Sequence, residues 1–160
     1  MISGGMTLET ARAWLAQNAP DLALIEHGVS TATVAEAAAA LGVEPARIAK
    51  TLALRVGDDV MLVVARGDAR IDNARTKAEF GGRPRMLAPE ETFAATGHPV
   101  GGVCPFGLTT EIPVYCDISI RDFLSVFPAA GSLTSSVEVA PERLAALVST
   151  RWVDICKLPG

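Results

Sequence analysis

The chain has 160 residues, 49% of them apolar and 20% charged, enough to bury a hydrophobic core without disulfide staples. Aromatic residues make up only 5%, so Ala, Leu, Val and Ile must fill that core. A formal net charge of −4 excludes a broad basic face for gripping long nucleic acid, so any RNA contact should be local.

Three cysteines occur, Cys104, Cys116 and Cys156. An odd count without a CxxC pair argues against a disulfide framework and a structural zinc site, and reads as reduced, mostly buried thiols. The N-terminal stretch has no basic and apolar signal pattern. No apolar run approaches the roughly 20 residues of a membrane span. The expectation is a cytoplasmic protein with a single domain over 1–160.

Residues 1–6 read as a loose leader. Thr7 is placed to cap a helix running to about Asn18, with Leu8, Ala11 and Leu15 on one face. Leu22–His27 is a short strand candidate. Thr33-Val-Ala-Glu36 is a capping-box pattern for an Ala-rich helix that Gly42 stops. A short helix opens near Glu44-Pro45. Lys50–Val56 and Val60–Arg66 flank Gly57-Asp58-Asp59 as a hairpin. Asp72 caps a helix to about Phe80, closed by Gly81-Gly82. Pro89-Glu90-Glu91 opens another, ended by Gly97. Residues 97–110 are too rich in Gly and Pro to be regular. Pro113–Asp117 reads as a strand, and Ser119–Val126 as a helix broken by Pro128. Leu133, Val137 and Val139 alternate with polar residues as a strand. Pro141-Glu142 starts a last helix to about Ser149, and Trp152–Cys156 adds a short strand or packed tail. Strands and helices mix without strict βαβ alternation, which predicts an α+β domain with a mixed, barrel-like sheet.

The chain has no GxSxG elbow and no phosphate-binding GxxxxGK[ST] loop, and its only histidines are His27 and His98. His98 reads either as a surface-loop histidine or as a general base. Gly101 and Gly102 precede Cys104-Pro105; their N–H groups can form an anion or oxyanion nest, or the segment can be a plain turn. Lys50, at the start of a strand, can reach a phosphate or carbonyl, or can simply snorkel at a sheet edge. Cys104 reads as a nucleophile only if its pKa is lowered, and otherwise as a thiol lining a pocket.

Four segments together resemble the YbaK / prolyl-tRNA synthetase-associated editing domain: Ile48-Ala49-Lys50-Thr51-Leu52, Gly97–Gly107, Ala130-Gly131, and Val139-Ala140-Pro141-Glu142-Arg143-Leu144. The resemblance covers about residues 20–150. It implies a mixed β-barrel-like sheet surrounded by helices. It also implies hydrolysis of the ester joining a wrong amino acid to the 3′ CCA end of tRNA, commonly tRNA(Pro) carrying Cys, Ala or another small residue. Lys50, Gly101 and Gly102 then take catalytic roles, positioning the 3′ end and stabilising the oxyanion while a water attacks. Substrate-binding roles fall to Thr51, His98, Val103, Cys104, Pro105, Phe106, Gly131 and Ser132. The resemblance implies no metal and no cofactor. It names mischarged aminoacyl-tRNA and prolyl-tRNA synthetase as partners, with neither DNA nor membrane, for a monomer or homodimer.

Two positions depart from the pattern. Ser132-Leu133-Thr134 replaces the basic residue that many relatives carry after the glycine at 131. Cys104 stands where a small hydroxyl or alkyl residue is common, which would tune the pocket. The alternatives are a non-catalytic module that binds aminoacyl-tRNA, and a thiol enzyme built on Cys104 and His98.

Overall fold

The computed structural model describes residues 5–98 and 103–159. Helix α1 (Gly5–Asn18) opens the described chain. It begins two residues ahead of the expected cap Thr7, so the expected leader overlaps the helix at Gly5 and Met6, while residues 1–4 lie outside the described residues. Strand β1 (Leu24–Glu26) leads to helix α2 (Val34–Leu41). The capping box forms as its spacing dictates. Thr33 Oγ1 accepts from the Glu36 N–H at 3.1 Å, and Glu36 Oε1 accepts from the Thr33 N–H at 3.3 Å. Gly42 closes α2 in the left-handed region, φ +69°. A single 3-10 turn, Pro45–Arg47, then feeds the central hairpin of β2 (Ile48–Val56) and β3 (Asp59–Arg66).

The remaining elements are β4 (Arg70–Ile71), α3 (Asn73–Phe80), β5 (Pro84–Met86), α4 (Pro89–Thr96) and β6 (Val114–Asp117). After them come β7 (Phe127–Pro128), β8 (Ser135–Val137), α5 (Pro141–Val148), β9 (Trp152–Val153) and β10 (Cys156–Lys157). The main sheet runs β5-β2-β3-β6-β9, with β7 also joined to β2. It is mixed: β2 pairs antiparallel with β3 and β5, whereas β2–β7, β3–β6 and β6–β9 are parallel. Two small antiparallel pairs, β1–β8 and β4–β10, flank it. The fold is α+β as expected, with an open sheet rather than a closed barrel.

Alternation on β3 explains why both faces are covered. Leu62 and Val64 face a core shared with Ala11 and Leu15 of α1 and Leu144 of α5. Met61, Val63 and Ala65 face a second core with Leu54, Val153 and Ile155. Hydrophobic burial on both sides thus anchors β3 in the middle of the sheet.

Three expectations are corrected. Ser119–Val126 is not an α-helix; only a 3-10 turn forms, over Ile118–Asp122. The Asp117 carboxylate caps it by accepting from the Ser119 N–H, and Val126 is drawn away into a two-way backbone bridge with Val139. Pro128 does not merely break structure, because it is part of β7 beside Ala49. The strand expected to alternate from Leu133 to Val139 is shorter, and Ser135, Ser136 and Val137 are all buried.

Candidate active site

One edge of β2 is divided between two short strands. β5 covers Leu54–Val56 and β7 covers Ile48–Ala49. The Leu87 N–H extends β5 by donating to the Ala53 carbonyl at 3.0 Å. Alternate residues of a strand aim their backbone groups to the same edge, so the Thr51 N–H and C=O point into the gap with Ala53. The register pairs Thr51 with neither β5 nor β7. A cavity of about 270 Å³ opens there. Its floor is residues 48–53 of β2, and its walls are Thr31–Val34 and Ala37, Met86 and Leu87, Thr92, Val103, Phe127 and Ala129, and Ser135 and Ser136. Mostly apolar walls with a few convergent polar groups are the usual make-up of a small-ligand site.

Most of the hydroxyls in this lining are engaged. Thr31 Oγ1 donates to the Leu133 carbonyl, Thr92 Oγ1 donates to the Ala88 carbonyl, and Ser135 Oγ shares a hydrogen with Ser132 Oγ at 2.7 Å. Thr51 Oγ1 is buried and has no partner. A buried polar atom without a partner costs on the order of 1–3 kcal/mol, so a ligand that bonds it recovers that cost on binding.

Lys50 also reaches the lining, but its ammonium is tied down. It donates to the carbonyls of Gly67 at 3.1 Å and Ala69 at 2.5 Å. Burial pulls the Lys50 pKa below its ordinary value, opposed by the nearby Cys156 and Asp68. The residue between those two carbonyls is itself clamped. Arg66 holds Asp68 through two bonds, at 2.6 and 2.9 Å, and reaches Asp122 at 2.8 Å. The bond to Asp68 is the main cause that raises the Arg66 pKa, and the same bond lowers that of Asp68. Gly67 is required by space: a Cβ there would lie 2.1 Å from the Pro45 carbonyl oxygen.

Of the residues expected to bind substrate, Thr51 and Val103 line this cavity together with Lys50. Gly101 and Gly102 lie outside the described residues. Ser132 stands one hydrogen bond behind the wall, and Gly131 makes the preceding turn at φ +92°. Pro105 faces a different hollow, beside Trp14 and Gly107. His98, Cys104 and Phe106 are fully buried and do not line the cavity.

These three residues knot the loop together. His98 Nε2 lies 2.9 Å from the Phe106 carbonyl, so Nε2 carries the hydrogen and donates. Cys104 Sγ is 3.6 Å from that same nitrogen, which therefore has no lone pair to take a thiol proton. Burial pushes the Cys104 thiol up to about 12. The surface-loop and general-base readings of His98 both give way to a structural role, and the Cys104–His98 pair is not an activated nucleophile. Phe106 stacks against Trp14, with ring centroids 5.5 Å apart, and fastens the loop to α1.

The knot has a consequence for acid stability. Burial lowers the His98 pKa. Below the ordinary histidine value of about 6.5, the unfolded chain takes up a proton that the folded chain refuses, so stability falls as pH falls. The slope is at most about 1.4 kcal/mol per pH unit, from about 6.5 down to the folded pKa. His98→Gln can still donate to the Phe106 carbonyl but has nothing to titrate. Urea midpoints at pH 7.0 and 5.5 should therefore drop more for the wild type than for His98→Gln; equal drops would refute this account.

All three cysteines are free and buried. Among the described residues, no group of three His, Cys, Asp or Glu side chains could hold a metal ion, and no helix is long and apolar enough to cross a membrane.

Every wall of the cavity falls within residues 29–147, the span matched by the family model described as "Aminoacyl-tRNA editing domain". The chain belongs to that family. It is 44% identical to "Uncharacterized protein YwhH" of Bacillus subtilis (strain 168), over 95% of this chain and 98% of that one. It is 39% identical to "Proline--tRNA ligase" of Moorella thermoacetica over 55% of this chain, a stretch amounting to 15% of that larger protein. Among solved structures, one described as "a putative trans-editing enzyme for prolyl tRNA synthetase" superposes with a TM-score of 0.86 at 29% identity, covering 94% of this chain and 96% of that one.

Proposed function

We propose that the protein is an aminoacyl-tRNA deacylase that hydrolyses the ester of mischarged tRNA, with tRNA(Pro) carrying a small amino acid as its substrate. The observation that carries this reading is the cavity at the split edge of β2, floored by Lys50 and by Thr51, whose hydroxyl is buried without a partner. The editing family and the similarity to a structure described as a trans-editing enzyme support it.

In this reading the aminoacyl group enters the cavity and its carbonyl meets the Thr51 N–H in the strand gap. Gly101 and Gly102, just ahead of Val103, are the other candidate backbone donors. Lys50 orients the 3′ end of the tRNA. An aminoacyl ester is already activated, so positioning a water and stabilising the oxyanion supply much of the rate. No cofactor is called for. The tRNA is met in the cytoplasm, and prolyl-tRNA synthetase is the natural supplier of the mischarged product. With a net charge of −4, contact centres on the 3′ end rather than on a basic face.

The test is deacylation of Cys-, Ala- and Ser-tRNA(Pro), with correctly charged Pro-tRNA(Pro) as control. Release well above the spontaneous rate for at least one mischarged species, with Pro-tRNA(Pro) spared, is expected. Tight binding without turnover across the panel would replace the deacylase by a sequestering module.

A further inference from the structure

Water attack on an ester requires a group that accepts the water's proton. Among the described residues, the cavity lining holds no carboxylate and no histidine, and Lys50 is a donor bound to two carbonyls. Cys104 and His98 are excluded because both are fully buried and neither lines the cavity. One lining hydroxyl has a different kind of partner. Ser136 Oγ lies 2.6 Å from Nε2 of His27, a residue outside the cavity at the end of β1.

The backbone fixes this pair from two sides. Ile25 of β1 is opposite Ser136 of β8, and the His27 N–H donates to the Thr134 carbonyl at 2.9 Å. On its other side Ser136 bridges to Ala129, which also lines the cavity. Ser136 is 3% exposed, whereas His27 is only half-buried and reaches solvent. A path therefore runs from the cavity, through one hydroxyl, to a base at the surface.

We propose that Ser136 and His27 form the proton relay for the attacking water, resting on the deacylase reading above. The water oxygen bonds to the ester carbonyl carbon. Its proton passes to Ser136 Oγ as the serine's own proton passes to His27 Nε2. Collapse breaks the bond between the carbonyl carbon and the ribose oxygen. The proton returns along the same path to that oxygen, leaving the free amino acid, uncharged tRNA and neutral His27. Ser136 is the catalytic residue, because it touches the reacting water, and His27 is the base acting through it.

The experiment is steady-state deacylation by Ser136→Ala, His27→Gln and His27→Ala, each checked for cooperative unfolding. His27→Gln keeps a side chain able to bond Ser136 but cannot store a proton, so it stands in if His27→Ala does not fold. The expected result is a fall in kcat on the order of a hundredfold with KM unchanged, the range of general-base contributions. Added imidazole should raise the His27→Ala rate at least tenfold and leave Ser136→Ala unaffected. Variants within threefold of wild-type kcat, a loss confined to KM, or a folded His27→Ala that imidazole does not rescue would each overturn the relay alone. A wild-type protein inert on every charged tRNA would overturn the deacylase reading and the relay with it.

Discussion

Lys50→Ala is expected to lower kcat/KM for deacylation of mischarged tRNA on the order of a hundredfold, the typical cost of removing one preorganised donor from an active site. The reason lies in how the lysine is held. Two carbonyl bonds fix the ammonium against the turn at Gly67–Ala69, and the Arg66–Asp68 clamp fixes that turn. A charge immobilised in this way loses little entropy when substrate arrives. Lys50→Arg should not restore activity, because a planar fork cannot occupy the point between the Gly67 and Ala69 oxygens. Burial disfavours the charge itself, which offsets part of the bonding lost in Lys50→Ala, so the variant should still unfold cooperatively. Full retained activity across a panel of charged tRNAs would remove Lys50 from the mechanism.

Gly67→Ala is the second large effect, and it is one of stability. The added methyl would lie 2.1 Å from the Pro45 carbonyl oxygen, 2.9 Å from Val34 Cγ1 and 3.1 Å from the Ile48 carbonyl oxygen. Two of these are backbone atoms that cannot rotate away. The expected cost is about 3 kcal/mol, at the upper end for overpacking, and a fall in Tm of roughly 6–12 °C. Gly28→Ala supplies the contrast: its φ of +72° is strained for alanine, but no atom lies within 4 Å, so only about 1 kcal/mol should be lost. Calorimetry on the two variants separates clash from strain. A Gly67→Ala protein no less stable than Gly28→Ala would mean that the Pro45 turn yields freely. Because Gly67 also supplies a carbonyl to Lys50, its variant should lose activity even at temperatures where it is folded.

What could be read from the sequence is what depends on near neighbours. The Thr33–Glu36 box, the Asp72 cap that accepts from the Arg75 N–H, and the Gly57-Asp58 turn each close within a few residues. Strands made by distant partners could not be read. β4, β5 and β7 have two or three residues each and exist because β10 or β2 offers them an edge. The same division runs through the site. Lys50, Thr51 and Val103 were legible as members of recognisable segments, and they meet at the cavity. His27 and Ser136 are 109 positions apart, and only the pairing of β1 with β8 makes them a unit. His98 misled for the opposite reason. Its glycine- and proline-rich surroundings suggest an exposed loop, yet His98 is fully buried and its imidazole serves the Phe106 carbonyl.

The cavity in the edge of β2 is bounded by residues 31–34 and 37, 48–53, 86, 87 and 92, 103, 127 and 129, and 135 and 136, stretches far apart along the chain. No local hairpin or helix contains the whole of it, although β2 supplies its floor. High contact order makes such an arrangement form late and all at once, since each wall must close a long loop before it contributes. Release of β7 from Ile48 and Ala49 would remove the Phe127 wall of the cavity while leaving the β2–β3 hairpin paired. Binding competence therefore reports on completion of the fold, and a partly folded chain still rich in secondary structure has nowhere to hold an aminoacyl group.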